Sequence, residues 1–259
     1  MMESVNVNEN REVFETSRAI EFRDYLKVLN SVQNEPTLKF SWEGLTTIEM
    51  DPSHVSMYDL SLPNAYFDQW AVKEDFKVCL NLEDALKALS KISKDDYSLT
   101  LENHPVDEKI TFTLKSDIHR RKTIKTLEDM ENEVPMPRIF FKSKTRILLK
   151  ALKRIVEDFK GFEHIEIKTD YDKITFTAEN DSTTETTPLD NYNDNILEHR
   201  IEEPTRTVYT LDYLQQILKH THKISEVCTL EFSEDMPMKL DIEIPQGHLH
   251  YYLAPCIGA

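Results

Sequence analysis

The sequence predicts an α+β fold made of two copies of one unit, and three observations lead there. Four segments carry apolar residues at helical spacing, while the runs between them alternate or are rich in β-branched residues. Helix starts fall about 65 residues apart in the first half and about 67 in the second, with the halves offset by about 128. The words Leu99-Thr100-Leu101-Glu102 and Cys228-Thr229-Leu230-Glu231 follow equivalent helices.

Taken in order, residues 1–12 mix Asn, Glu and Val without a period and read as a loose tail. The first helix is expected over about 17–33, with Phe22, Leu26, Leu29 and Val32 inward. The second covers about 82–93, capped by Asn81, with Ala85, Leu86, Leu89 and Ile92 inward. The third, about 144–160, turns Leu148, Leu152, Ile155 and Phe159 to the core, and the fourth, about 210–222, Leu211, Leu214, Ile217 and Leu218. Strands are expected at Thr37–Ser41, Ser98–Glu102, Lys109–Leu114, His164–Lys168, Lys173–Ala178 and Met238–Ile244. Residues 118–136 lack a period and place Glu128, Asp129, Glu131 and Glu133 before Pro135 and Pro137. That divides the chain into a domain over 13–118, a connector over 119–136 and a domain over 137–259.

At 259 residues there is ample chain for two cores. No apolar run is long enough to cross a bilayer, and no basic-then-apolar leader opens the sequence, so an intracellular protein with no membrane partner is expected. Cys79, Cys228 and Cys256 are odd in number and far apart, which suits reduced thiols and neither a disulfide framework nor a zinc site. The net charge of −16 argues against a polyanionic partner until its distribution is read. Residues 115–160 hold 13 of the 31 Lys and Arg against 7 of the 47 acids, leaving this stretch at +6 and the remainder at −22.

The polar helix faces repeat that bias. Arg146, Lys150, Lys153 and Arg154 cluster opposite the apolar stripe of the third helix. Arg23 and Lys27 do so on the first helix, Lys87, Lys91 and Lys94 on the second, and Lys219 and Lys223 on the fourth. Four basic stripes in an acidic chain predict a surface for phosphate. No Asn, Gln and Arg constellation marks a helix that reads base edges, so sequence-independent contact with duplex DNA is expected.

The stretch Met50-Asp51-Pro52-Ser53-His54-Val55 and the C-terminal Gly247-His248-Leu249-His250-Tyr251-Tyr252-Leu253-Ala254-Pro255 resemble the DNA sliding clamps of archaea and eukaryotes, the proliferating cell nuclear antigen family. Asn81-Leu82 and Asp235-Met236-Pro237-Met238 add to the resemblance, which covers nearly all of residues 17–257. It implies two clamp domains whose helices line the inner face of a ring with antiparallel sheets outside, three subunits closing head to tail. Homotrimer and mixed ring both stay open, because residues 181–195, where an edge strand pairs with the neighbour, are polar. It implies a processivity factor, located in nucleoid, cytoplasm or nucleus according to the organism. Its partners would be DNA polymerase, clamp loader, flap nuclease and ligase, docking through short peptides with a Gln and an aromatic plug. Carried over, the docking residues are Met50, His54, Val55, Met57, Met130, Val134, Pro237 and Tyr252, with Thr210, Ala254 and Pro255 near the glutamine. Cys256 stands where the family usually has a basic residue.

The competing reading is a metal-dependent nuclease in which Glu166 and Lys168 form an ExK half-site, although no clear upstream metal-binding Asp accompanies them. His220 with His222 and His248 with His250 have a spacing that metal ligands can share, but one pair sits at a helix end and the other in the clamp-like closing strand. Walker, HExxH and GxSxG motifs are absent. No catalytic residue, metal or cofactor is expected.

Overall fold

The computed structural model describes residues 12–92, 98–128 and 134–257. Contacts divide the chain into a first unit of residues 1–30, 34–47 and 61–132 and a second of 31–33, 48–60 and 133–259.

The first unit holds β1 (Glu12–Thr16), α1 (Ala19–Asn30), β2 (Thr37–Ser41), the start of β3 (Gly44–Met50) and the end of β4 (Ser56–Pro63). It continues through β5 (Gln69–Ala71), β6 (Phe76–Cys79), α2 (Leu82–Ala88), β7 (Ser98–His104), β8 (Lys109–Lys115) and β9 (Arg120–Lys125). One antiparallel sheet runs β5-β1-β7-β8-β9, while β2 pairs with both β3 and β6. Alternation sends Phe14, Phe40, Trp70 and Phe76 to one aromatic cluster. The Phe14 and Phe40 rings lie 4.9 Å apart, Phe40 and Phe76 4.7 Å, and the Trp70 indole donates to Ser41 O at 2.9 Å. Gly44 has φ +147°, and a Cβ there would meet Leu62 O at 2.2 Å, so the approach of β3 to β4 requires glycine.

The second unit contains β10 (Ser143–Leu148), α3 (Leu149–Asp158), β11 (His164–Asp170), β12 (Lys173–Glu179), β13 (Thr184–Asp190) and β14 (Ile196–Ile201). After these come β15 (Thr205–Thr210), α4 (Leu211–Thr221), β16 (Val227–Phe232), β17 (Met238–Ile242) and β18 (His248–Leu253). Its sheets run β14-β10-β16-β17-β18, with β4 next to β18, and β13-β12-β11-β15. The duplication therefore holds strand by strand. The order β5-β1-β7-β8-β9 is repeated as β14-β10-β16-β17-β18, and β4-β3-β2-β6 as β13-β12-β11-β15.

Helices form where the apolar spacing predicts them and cover these sheets. α1 buries Phe22, Tyr25, Leu26 and Leu29, α3 buries Leu149, Leu152, Ile155 and Val156, and α4 buries Leu211, Leu214, Ile217 and Leu218. Each such side chain contributes about 1.5–3 kcal/mol. The Asn81 side chain caps α2 by accepting from Asp84 N at 3.1 Å.

The main correction concerns the third helix, which begins at Leu149 and not near 144. Ser143–Leu148 is strand β10, hydrogen-bonded between β14 and β16, with Ser143, Thr145 and Ile147 buried in alternation. Leu148 is half-buried at the helix entrance and Leu86 is half-buried on α2, so neither belongs to a fully buried stripe. The connector expected over 119–136 begins with β9, whose polar residues show no apolar alternation and are held by pairing along β8. Residues 1–11 of the tail lie outside the described residues, and Glu12 belongs to β1.

Candidate DNA-facing helices and partner groove

In the first unit, Arg23 and Lys27 flank Asp24, which is only 5% exposed. Lys27 Nζ lies 2.7 Å and Arg23 Nη2 3.2 Å from Asp24 Oδ1, and Arg23 Nη1 donates to Ile92 O at 3.0 Å. Burial pushes the Asp24 carboxyl pKa up, but the two cations outweigh it and hold it below the ordinary value. Lys87 pairs with Asp84 at 3.0 Å, and Lys91 lies exposed in the turn after α2. Lys94 lies outside the described residues.

In the second unit α3 packs against α4, and Gln215 Nε2 donates to Val156 O at 3.1 Å. Lys150 and Arg154 are exposed on α3 and Lys219 on α4, with Lys223 just past the end of α4. Lys153 pairs with Glu157 at 2.6 Å, and Arg154 approaches Asp158 at 4.0 Å. Such exposed pairs are worth about 0.2–1 kcal/mol, so a phosphate can displace them. Arg146 does not share this face. It lies on β10, where Glu243 accepts from Nη2 at 2.7 Å and raises the guanidinium pKa further.

The second surface follows from the C-terminal chain. Beyond β18, Ala254 N donates to Val55 O and Cys256 N to Val208 O, each at 2.8 Å. The tail thus runs from the 51–56 turn to β15, and Cys256 Sγ lies 3.3 Å from Thr210 Oγ1. Asp51 builds the turn. Its carboxylate accepts from Ser53 N at 2.9 Å, from Val55 N at 2.8 Å and from Ser56 N, while His54 adopts the left-handed φ of 59°. Met50, Val55, Val134, Thr210, Pro237, Ala254 and Pro255 are half-buried, and His54 and Met236 are exposed. Met57 and Tyr252, expected as docking residues, are 4% and 9% exposed and lie mostly below the surface. Met130 lies outside the described residues. Asp51, Val208 and Tyr213 were missed as candidates; the Tyr213 hydroxyl donates to Asp51 Oδ2 at 3.4 Å. The Asp-Pro-Ser-His sequence was itself the turn signal for Asp51. Asp51→Ala strands three backbone amides and the Tyr213 hydroxyl and is expected to cost about 2–4 kcal/mol in urea unfolding, whereas a loss under 1 kcal/mol would show that the turn stands without its carboxylate.

The residues of the nuclease alternative have other partners. Arg206 Nε donates to Glu166 Oε2 at 2.6 Å, and Lys168 pairs with Asp170 at 3.3 Å. Among the described residues, the group able to hold a metal is Asp59, His248 and His250, away from Glu166. No described helix is long and apolar enough to cross a membrane.

A duplicated unit with helix-covered antiparallel sheets and basic outer helix faces defines a sliding-clamp architecture. The family model "Proliferating cell nuclear antigen, N-terminal domain" matches residues 15–135, and the corresponding C-terminal domain model matches 136–256. A DNA polymerase sliding clamp of Methanococcus vannielii is 28% identical over 242 residues, covering 91% of this chain and 96% of the relative. The PCNA2–PCNA3 complex from Sulfolobus tokodaii superposes with a TM-score of 0.86 at 27% identity, over 94% of this chain and 98% of that one. PCNA from Thermococcus kodakaraensis gives a TM-score of 0.88 at 23% identity, over 95% and 100% of the two chains, and shows the shared fold. The chain belongs to the proliferating cell nuclear antigen family of DNA polymerase sliding clamps. The nuclease alternative finds no support in these likenesses.

Proposed function

We propose that copies of this chain, alone or with a related subunit, close into a non-catalytic ring that holds duplex DNA by topology and presents docked enzymes to it. Tight retention and free movement are compatible in such a device, because enclosure needs no strong contact and exposed cations bind phosphate weakly and without sequence preference. Lys150, Arg154, Lys219 and Lys223, with Lys87 and Lys91, supply those contacts. The acidic remainder of the chain repels the duplex from other surfaces.

The duplicated strand order carries the ring reading. β18 lies beside β4 within the second unit, and their counterparts in the duplication are β9 and β13. β9 and β13 end their own sheets, so β9 of one copy can lie on β13 of the next as β18 lies on β4. Arg120, Arg121, Lys122 and Lys125 on β9 face an edge carrying Glu185 and Asp190, which favours that pairing.

The 51–56 turn, Val208, Thr210, Pro237 and the tail from Ala254 offer a half-buried apolar surface to a peptide with a Gln and an aromatic plug. Polymerase, clamp loader, flap nuclease and ligase are the partner classes, each held at high effective concentration near DNA. Replacing both Ala254 and Pro255 by Glu is expected to weaken a Gln-plus-aromatic peptide by at least ~1–2 kcal/mol in calorimetry, with assembly unchanged. Unchanged affinity in a folded double variant would remove this surface from the proposal.

A further inference from the structure

His248 and His250 are two residues apart on β18, so strand alternation puts both rings on one face, where their centroids lie 4.6 Å apart. Asp59 comes from neighbouring β4. Its Oδ2 lies 3.0 Å from His248 Nε2 and 3.8 Å from His250 Nδ1. Donor atoms from all three half-buried residues fall within 4.8 Å of one another. His248 Nε2 is sealed from solvent, with Asp59 Oδ2 as its close polar neighbour at 3.0 Å.

The far side of the cluster supplies the second observation. His250 Nε2 faces Asp241 Oδ1 at 3.6 Å, and Asp241 stands opposite His250 in the β17–β18 register. With Asp241 beside Nε2, the other ring nitrogen, Nδ1, is the one on the side of Asp59. Metal-bound histidines are commonly oriented by such a carboxylate. Bonds of about 2.0–2.2 Å to one tetrahedral ion place ligand atoms roughly 3.2–3.6 Å apart. The observed separations of 3.0 and 3.8 Å bracket that range.

We propose that Asp59, His248 and His250 form a three-ligand site for a zinc-class divalent cation, with Asp241 as the residue that positions His250 and a fourth coordination place left to water. Two imidazoles and one carboxylate favour zinc over magnesium or calcium, which prefer oxygen ligands. The ion clips β18 to β4. Since β18 continues directly into Ala254, whose amide holds Val55 O, binding also stiffens the frame of the peptide surface.

The test uses the full chain, stripped with a chelator and titrated with zinc alone by calorimetry and with cobalt(II) by visible absorption. Expected are about one ion per chain, tetrahedral cobalt bands, and a rise in Tm on adding zinc. Asp59→Asn and His250→Gln are near-isosteric and should each weaken binding at least ~100-fold, and Asp241→Asn about 10-fold, with far-UV spectra and oligomeric mass unchanged. Cys256 Sγ and His164 Nδ1, 3.6 Å apart, are the rival donors, and Cys256→Ser should change nothing. Absence of zinc uptake at micromolar free metal, uptake that survives both Asp59→Asn and His250→Gln, or uptake abolished by Cys256→Ser overturns the site. The readout is metal binding, so it stands apart from the clamp function.

Discussion

Replacing Lys150 and Arg154 by Glu should shorten polymerase extension products at least ~10-fold at low salt while thermal stability and oligomeric mass barely move. Both side chains are exposed on α3, opposite Leu152 and Ile155, so neither contributes to the core. The exchange turns two attractions toward phosphate into two repulsions, and each lost contact removes about one unit from the dependence of log affinity on log salt. The difference from wild type should therefore be largest at low ionic strength and shrink toward physiological salt, where the screening length falls to about 8 Å. Glu157 and Asp158 already shadow Lys153 and Arg154, so the wild-type face has a modest net charge that two substitutions reverse. Equal extension lengths at every salt concentration would sink the assignment of this face to DNA.

Thr186→Pro should dissociate the assembly while leaving the chain folded. The β12–β13 hairpin closes with Asn180 N donating to Thr183 O, and beyond its far end Asn191 N donates to Asp172 O. Alternation between those two bonds turns the amides of residues 184, 186, 188 and 190 away from β12. Pro188 occupies one of these outward positions, where a missing donor costs its own sheet nothing. A second proline at 186 removes a donor from the middle of the edge proposed to receive β9 of another copy and pushes a ring toward it. One stranded carbonyl costs about 1–3 kcal/mol, or 5- to 150-fold in dissociation constant. Sedimentation with and without a related subunit measures this. A variant that assembles like wild type would show that β13 is not the joining edge.

The sequence by itself determined the duplication, the four helices and the six strands whose apolar period is intact, because such signals are local: a period of 3.6 or 2 is written within one element. It also placed Lys150 and Arg154 on α3 and Lys219 on α4, where all three are exposed, since charge opposite an apolar stripe stays outside. Tertiary structure alone decided that Ser143–Leu148 is a strand, because Ile147 and Leu148 suit either period until β14 and β16 supply partners for their backbone. The same is true of β9, whose residues carry almost no apolar signal and are ordered by the ladder along β8. Arg146 left the helix face for that reason and found Glu243, 97 positions away in the chain. The 51–56 turn and the closing strand proposed as a docking surface stood out as two motifs at opposite ends of the sequence, but the bonds from Ala254 to Val55 and from Cys256 to Val208 did not. The placing of Asp59 beside two histidines nearly 190 residues later was likewise unreadable, because strand neighbours distant in sequence are chosen by the whole fold and leave no mark in the spacing of any one segment.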